Sequence, residues 1–255
     1  MRLRVLGCSG GIGGNLHTTS FLIDHDILID AGTGVGELSL SELSVIDHIF
    51  ITHSHMDHIC SLPLLLDSVW GMRNRQPVIV YATAETLEIL RQHVFNWKIW
   101  PDFSEIPDAE HPVMRYQTIT LGEATDLQGR KITAVPAVHT VPAVGYHLDS
   151  GQASLVFSGD TYINDALWTV VNGIANLRHL IIETAFSNGE IELATLAKHL
   201  CPSLLAGELA KFNGDAEIFI THLKPGEVEL IMREIDASVT GCSPRMLINN
   251  QEFIF

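Results

Sequence analysis

The stretch that most constrains this chain is Ile49–His58, which reads IFITHSHMDH. Its first residues are apolar β-formers, and an apolar run that stops at polar residues is typical of a buried strand followed by a loop. The polar part contains His53, His55, Asp57 and His58, and imidazole and carboxylate groups are common ligands of zinc and similar divalent ions. A solvated histidine-rich turn is the alternative interpretation, but packing alone does not explain so many ligand-type side chains in one short segment.

The spacing of these side chains suggests two metal positions. His53 and His55 are two residues apart, so on an extended segment they point the same way and can share one ion. Asp57 and His58 lie further on, where the chain is expected to enter a helix, and they can face a second ion. Cys60 follows closely, and we expect it to pack as a buried thiol rather than to bind metal.

In the second half of the chain, further apolar runs each end at a polar residue. The runs 132–138, 155–157, 180–182 and 218–220 lead to His139, Asp160, Glu183 and His222, respectively. Open α/β sheets place their active sites at the carboxyl ends of their strands. The sequence therefore predicts that these polar side chains gather at one sheet edge with the histidines of Ile49–His58.

The remaining segments alternate between strand-like and helix-like patterns. Strands are predicted at 1–6, 21–24, 27–30, 78–81, 113–121 and 130–138, and helices at 59–75, 84–95, 163–172, 190–200, 203–212 and 228–236. No low-complexity linker interrupts the pattern, so a single domain is predicted over residues 1–255. The aromatic stretch Phe95–Phe103 has two interpretations, a satellite core and a wall of the substrate pocket.

A glycine-rich loop, Gly7–Gly14, follows the first strand and invites a nucleotide-binding interpretation. It lacks the Gly-Lys-Ser/Thr ending of a phosphate-binding P-loop and the G-x-G-x-x-G spacing of a dinucleotide fold. We therefore predict a flexible turn beside the active site and not a phosphate cradle of either kind.

Net charge indicates which classes of binding partner are expected, and cysteine content indicates the cellular compartment. The chain has 30 acidic against 15 basic residues, a formal net charge of −15, which argues against a broad nucleic-acid surface. An anionic substrate would need a local positive field, and bound metals could supply it. The four cysteines show no CxxC spacing and are expected to be reduced and mostly buried. With no secretory pattern and no membrane-length apolar run in the sequence, a cytoplasmic protein without membrane contact is predicted.

The motif His53-x-His55-x-Asp57-His58, taken with the later strand ends, resembles the motifs of the metallo-β-lactamase superfamily. The resemblance implies an α/β fold, a four-layer αββα sandwich with a dinuclear metal site at the C-terminal edge of the strands. In its ligand set, one ion is held by His53, His55 and His139, the other by Asp57, His58 and His222, and Asp160 bridges both. Zinc is the expected metal, with manganese or iron as alternatives. Asp30, at the end of a predicted hairpin strand, resembles an aspartate that holds the histidine loop and does not bind metal itself.

Several blocks resemble the class-II cyclic nucleotide phosphodiesterases within that superfamily. They are HSHMDHICSLP at 53–63, FNWKIWPDF at 95–103, AVPAVHTVPAVGY at 134–146, FSGDT at 157–161, IETAFSNGE at 182–190, HLCPSLLAGEL at 199–209 and ITHLKP at 220–225. The implied reaction is hydrolysis of a 3′,5′-cyclic nucleotide to the 5′-nucleotide by a metal-held hydroxide. Asp57, Glu183 and His199 are the implied catalytic residues, with His199 donating a proton to the leaving oxygen and Glu183 orienting it. One departure is Cys201, where the family more often has a threonine before the proline.

Two other functions remain open at this point. A tRNA 3′-end endonuclease shares the fold, the ligands and the Glu–His pair, but it needs a basic RNA-gripping arm, and no Lys/Arg-rich insertion is present. A non-catalytic metal-bound binding module is the third. The expected partner is a small cyclic nucleotide and not a nucleic acid, with a homodimer as one option for assembly. The other histidines are expected to be structural: His17, His25, His48, His93, His111, His147 and His179.

Overall fold

The computed structural model describes residues 1–73 and 76–255, and in this part of the chain the strands form two sheets. The first sheet contains β1 (Arg2–Gly7), β2 (Ser20–Ile23), β3 (Ile27–Ile29), β4 (His48–Phe50), β5 (Val78–Ala82), β6 (Met114–Thr118) and β14 (Glu252–Ile254). The second contains β7 (Ala124–Leu127), β8 (Arg130–Pro136), β9 (Val144–Asp149), β10 (Ser154–Phe157), β11 (Leu177–Glu183), β12 (Glu217–Thr221) and β13 (Arg245–Met246).

Strand order brings the important loops to common edges. The first sheet runs β14-β1-β2-β3-β4-β5-β6, and β3 to β6 are parallel. The second runs β13-β12-β11-β10-β9-β8-β7, and β10 to β13 are parallel. Because parallel strands end at the same edge, the segments after β3 and β4 are neighbours, as are those after β10, β11 and β12.

The sheets pack face to face and are covered by helices on both outer faces. Phe21 of the first sheet meets Phe157 of the second edge-to-face, with ring centroids 4.9 Å apart. The helices are α1 (Leu40–Leu43), α2 (Met56–Ile59), α3 (Leu62–Val69), α4 (Ala84–His93), α5 (Asp165–Val171), α6 (Ile191–Ala197), α7 (Pro202–Leu209) and α8 (Val228–Ser238). α3 and α4 share an apolar cluster with the first sheet, and α5, α7 and α8 share one with the second. The predicted four-layer αββα sandwich is confirmed.

The helix predicted over 59–75 is wrong as a continuous element. The chain forms α2, a break at Cys60 and Ser61, then α3 and a short 3₁₀ helix at Trp70–Met72. Pro63 lies in the first turn of α3, where its missing N–H costs nothing, whereas inside a helix it would remove a hydrogen bond and clash with the preceding turn. Positions 74 and 75, also within that predicted helix, lie outside the described residues.

The polar stretch between the strands predicted at 113–121 and 130–138 contains a strand that the sequence did not indicate. β7 pairs antiparallel with β8 through a tight turn in which Gln128 and Gly129 have φ of 58° and 87°. Two consecutive left-handed residues are what a type I′ hairpin requires. β7 is the outermost strand of its sheet and carries no fully buried residue, so its sequence lacks the apolar pattern of an inner strand.

The aromatic stretch Phe95–Phe103 belongs to a packed core. Phe95 and Phe103 are 1% and 4% exposed and join the cluster beneath α3 and α4. Phe103 accepts a backbone hydrogen bond from Met114, the first residue of β6. This is the N-terminal edge of the parallel strands, opposite the edge where His53–His58 follow β4. The substrate-pocket interpretation of this stretch is therefore wrong.

Two further expectations can be compared with the structure. In the described ranges, no helix combines the length and the apolar character needed to cross a lipid bilayer. All four cysteines are free thiols, but only Cys201 is fully buried, Cys8 and Cys60 are half-buried and Cys242 is exposed. The prediction of mostly buried cysteines is thus wrong for Cys242 and is met only in part by Cys8 and Cys60.

Candidate metal centre

The candidate site forms where strand ends from both sheets meet. His53–His58 follow β4 of the first sheet, while Asp160 and His222 follow β10 and β12 of the second. Asp30 and His222 adopt left-handed backbone conformations, with φ of 57° and 64°. Such conformations are uncommon for residues other than glycine and are often found at functional sites.

All seven predicted ligands are brought together in two groups, and His139 and Asp160 form a third group with His199; within each group the ligand atoms lie within 4.8 Å of one another. One group is His53, His55 and His139, and the other is Asp57, His58, Asp160 and His222. In the first group, His139 Nε2 lies 3.1 Å from His55 Nδ1. The first two groups are those that the resemblance implied, and Asp160 belongs to the second and to the third.

Asp160 occupies a position between the two groups. Its Oδ2 lies 3.6 Å from His53 Nε2 and 3.3 Å from His58 Nε2. Its Oδ1 lies 3.3 Å from His222 Nδ1, and Asp57 Oδ2 lies 3.7 Å from His222 Nε2. Asp160 is thus the carboxylate with contacts to both groups, which is the geometry that a bridging ligand needs.

Unpaired polar atoms test whether these residues fit metal ions. Among the described residues, four buried atoms at the site have no hydrogen-bond partner: His53 Nε2, His58 Nε2, His222 Nδ1 and Asp160 Oδ1. Burying such atoms without a partner is costly. Ligand atoms of a tetrahedral zinc ion lie about 3.3 Å from one another, close to the separations found here. The donor set therefore fits divalent ions.

Hydrogen bonds behind the histidines fix which ring nitrogen faces the site. His58 Nδ1 donates to Asp30 Oδ2 at 2.7 Å. Thr52 donates to Asp30 through its backbone N and its hydroxyl, both at 2.8 Å, and accepts from His53 Nδ1 at 3.0 Å. Both histidines therefore keep Nε2 free for a ligand. Asp30 is fully buried and holds the histidine loop, as the resemblance implied.

Burial sets the protonation of several ligands. It holds the pKa of His53 well below the usual value, lowers the pKa of His139 to about 4, and lowers that of His222 to about 3. Neutral imidazole is the form that binds metal. At His58 burial acts in the same direction, but the carboxylates of Asp160 and Asp30 outweigh it and raise the pKa.

The predicted Glu183–His199 pair is formed beside the ligands. His199 Nδ1 donates to Glu183 Oε1 at 2.7 Å, and Glu183 is fully buried at the end of β11. The ring of His199 lies 4.9 Å from that of His139 and 5.0 Å from that of His222. Burial opposes charge on His199, but the Glu183 carboxylate outweighs it and raises the pKa of the imidazole. This arrangement can supply a proton at the site.

Sequence reasoning missed two residues that tie the loops together. Thr161 donates its backbone N–H to Glu183 Oε1 at 3.0 Å, and its hydroxyl accepts from Val138 N at 3.0 Å. Asn164 donates to Pro136 O at 2.9 Å. These bonds connect the segment before His139 with the segment after Asp160. The position of Thr161 next to Asp160 was the one sequence signal available.

Among the described residues, those not assigned to the site join none of the ligand groups. Within the described chain, none of the seven histidines expected to be structural joins a ligand group, and neither does Cys60. Cys201 precedes α7 and provides no side-chain cap to that helix; a threonine at an N-cap position can provide one. Cys201 therefore leaves the start of α7 without the side-chain cap that a threonine can provide.

Asp30→Asn is expected to weaken divalent-metal binding about 10–100-fold, the usual cost of losing a hydrogen-bond partner behind a ligand. The amide cannot accept all the bonds that Thr52 and His58 now donate to Asp30. Titration against a chromophoric chelator measures this. Asp26→Asn is the matched control, because Asp26 is also buried but pairs with Arg130, with Nη2 to Oδ2 at 2.8 Å. Equal affinities in wild type and Asp30→Asn would contradict the assignment.

Comparisons with known proteins identify the family of this chain. The family described as "Beta-lactamase superfamily domain" matches residues 25–238. A probable 3′,5′-cyclic-nucleotide phosphodiesterase of Yersinia pestis is 27% identical over 204 residues, covering 71% of this chain and 57% of that protein. The chain thus spans little more than half the length of that relative. Ribonuclease Z of Mycobacterium sp. (strain KMS) is 27% identical over 219 residues, covering 79% of this chain and 75% of that protein.

A solved structure has a similar fold. The crystal structure of unliganded yeast PDE1 matches with a TM-score of 0.81 at 17% identity, covering 100% of this chain and 99% of that chain. At this level of identity the likeness concerns the fold alone. The comparisons therefore establish the family and the architecture. They do not identify the substrate, which has to be inferred from the residues of the site.

Proposed function

The chain belongs to the beta-lactamase superfamily, and from this premise we propose that it is a phosphodiesterase that hydrolyses 3′,5′-cyclic nucleotides to 5′-nucleotides. The observation that supports phosphodiester hydrolysis is the Glu183–His199 pair, with Nδ1 and Oε1 2.7 Å apart, next to the two ligand groups; the choice of a cyclic nucleotide over RNA rests on the charge of the chain. Metal ligands alone are compatible with many hydrolases. A buried, carboxylate-held imidazole beside them is suited to protonating an alkoxide leaving group.

The fold family implies divalent metal ions, and the donors present fit them. We assign His53, His55 and His139 to one ion, Asp57, His58 and His222 to the other, and Asp160 to both. We propose zinc, since imidazole and carboxylate donors suit it. When bound, such ions supply Lewis-acid stabilisation of phosphoryl charge and lower the pKa of water.

The protein's own groups then have separate tasks. His199 Nε2 donates a proton to the departing 3′-oxygen, because its Nδ1 is already bonded to Glu183. Glu183 orients the ring and favours its charged form. Glu183 also accepts hydrogen bonds from the backbone N–H groups of Thr161 and Leu200, at 3.0 and 3.3 Å. Because Thr161 follows Asp160 directly, these bonds fix the position of His199 relative to Asp160.

Charge favours a small substrate over RNA. The net charge of −15 leaves little attraction for a polyanion, and the relative from Yersinia pestis carries the name of a cyclic-nucleotide phosphodiesterase. A tRNA 3′-end endonuclease remains the second candidate, because a ribonuclease Z is similar over 79% of the chain. A non-catalytic module is the weakest candidate, since it gives the Glu183–His199 pair no role.

A turnover screen on metal-replete protein tests the proposal. We expect hydrolysis of cyclic AMP or cyclic GMP to the 5′-nucleotide, no cleavage of precursor tRNA, and weak RNA binding with little dependence on salt. Boiled protein and protein stripped with chelator serve as controls. Precursor tRNA cleavage with tight binding that falls steeply with salt would instead favour the endonuclease.

A further inference from the structure

The glycine-rich loop is held tightly against the segment that carries His222. His222 N donates to Cys8 O at 2.8 Å, and Gly10 N donates to Leu223 O at 3.0 Å. A Cβ built on Gly10 would lie 2.4 Å from His222 O, so only glycine allows this approach. The loop therefore lies beside the candidate site, as the sequence predicted, but at Cys8 and Gly10 it is held by hydrogen bonds and is not the flexible turn that was expected.

Lys224 is fixed at the junction of this loop and the site. Its Nζ donates to Gly10 O at 2.7 Å, and its backbone N donates to Ala185 O at 3.1 Å. The ammonium group lies 5.9 Å from the centre of the Phe186 ring, and that ring lies 5.7 Å from the ring of His199. Phe186 thus lies near both the ammonium group of Lys224 and the ring of His199.

The ammonium group of Lys224 has bonding capacity left. An ammonium has three donors, and within the described residues Lys224 Nζ has a single hydrogen bond, to a neutral carbonyl, and forms no salt bridge. The chain has twice as many acidic as basic residues, so most lysines could pair with a carboxylate. Lys224 is half-buried and has no carboxylate partner among the described residues. A carbonyl anchor positions the charge without neutralising it.

The balance of charges at the site suggests a function for Lys224. Four carboxylates surround the histidines, from Asp30, Asp57, Asp160 and Glu183, and two divalent ions would offset them. The charges of Lys224 and of protonated His199 are then available to attract an anion. Phosphate esters are the matching substrate class, because their non-bridging oxygens are strong acceptors for charged donors.

We propose that Lys224, held in place by Gly10 of the glycine-rich loop, binds a non-bridging oxygen of the substrate and sets the preference of the site for anionic phosphate esters. The inference rests on the proposed phosphodiesterase function but does not depend on which base or alcohol the ester carries. It also gives the glycine-rich loop a role, since the loop's carbonyl aims the ammonium group.

Kinetics with bis-p-nitrophenyl phosphate and inhibition by inorganic phosphate test this. Lys224→Gln and Lys224→Met remove the charge, and Met also keeps an unbranched stem beside Phe186. For both variants we expect KM for the ester and the inhibition constant of phosphate to rise about 10–100-fold, the range for losing a charged hydrogen bond, while kcat changes little. Lys224→Arg should retain more of the affinity, because it keeps a positive donor.

Controls separate substrate binding from structural support. Lys98→Gln removes the same charge from an exposed site in the aromatic stretch, at the opposite edge of the sandwich, and should leave both constants unchanged. The ionic-strength dependence of kcat/KM should be shallower in Lys224→Gln than in wild type. Unchanged KM and phosphate inhibition in both charge-removing variants would overturn the inference, as would a loss of kcat alone with a lower melting temperature.

The probes also keep this inference apart from the proposed function. If cyclic nucleotides are not hydrolysed but the Lys224 variants bind bis-p-nitrophenyl phosphate and phosphate more weakly, the cyclic-nucleotide assignment fails and the role of Lys224 stands. If cyclic nucleotides are hydrolysed and the variants bind both anions like wild type, the cyclic-nucleotide assignment stands and the role of Lys224 fails.

Discussion

Asp160→Ala is expected to reduce phosphodiester turnover more completely than the loss of any terminal histidine ligand, by more than about 10³-fold. Asp160 is 2% exposed and contacts His53, His58 and His222, so it is the carboxylate that joins the two ligand groups. Its removal disturbs both groups at once. Removing a histidine such as His222 disturbs one group and leaves the other intact.

The experiment compares Asp160→Ala with His222→Ala at saturating metal. Metal content is measured by elemental analysis beside turnover, and the wild-type protein is expected to approach two equivalents. We expect Asp160→Ala to retain less metal than His222→Ala as well as less activity. A nearly active Asp160→Ala, or a wild type that stays at one equivalent after metal is added, would show that the bridging assignment is wrong.

His199→Ala is expected to lose about 10²–10⁴-fold in turnover of a cyclic nucleotide while keeping both metals, the usual range for a general acid. The loss should be much smaller for bis-p-nitrophenyl phosphate, because p-nitrophenolate leaves as a stable anion and needs no proton. Glu183→Gln should show a milder form of the same pattern, since Glu183 orients the imidazole and does not donate the proton itself.

Rates for both substrates and both variants, with metal content checked, decide this prediction. The matched control is His179→Ala, because His179 is also a largely buried histidine facing a glutamate, with Nδ1 3.1 Å from Glu217 Oε2, but belongs to no ligand group. It should affect both substrates little. Equal losses on the two substrates in His199→Ala would mean that His199 is not the acid.

The sequence was informative about the site because the ligands are marked by local patterns. His53–His58 follow a short apolar run, and His139, Asp160 and His222 each follow another. Strand direction then brings the ends together, so the grouping follows from topology. Asp30 could also be anticipated, since it ends a hairpin strand next to the strand that leads to the histidines.

The features that could not be predicted from the sequence depend on contacts between segments that are distant along the chain. Thr161 and Asn164 are ordinary polar residues in the sequence, and their roles come from bonds to Glu183, Val138 and Pro136. β7 escaped notice because an edge strand needs no apolar alternation. The Phe95–Phe103 stretch could not be placed, since composition does not say to which end of a strand an aromatic cluster packs.

The ligand groups contain residues from both sheets. Metal binding therefore stabilises the packing of one sheet on the other, and that packing in turn favours metal binding. His53, His55, Asp57 and His58 follow β4 of the first sheet, whereas His139, Asp160 and His222 come from the second. A ligand set that exists only when the two sheets are docked acts as a reversible cross-link between chain segments that are far apart in sequence. Ions that bind only this docked state add about 2.7 kcal/mol to the free energy of unfolding at 100 times their dissociation constant.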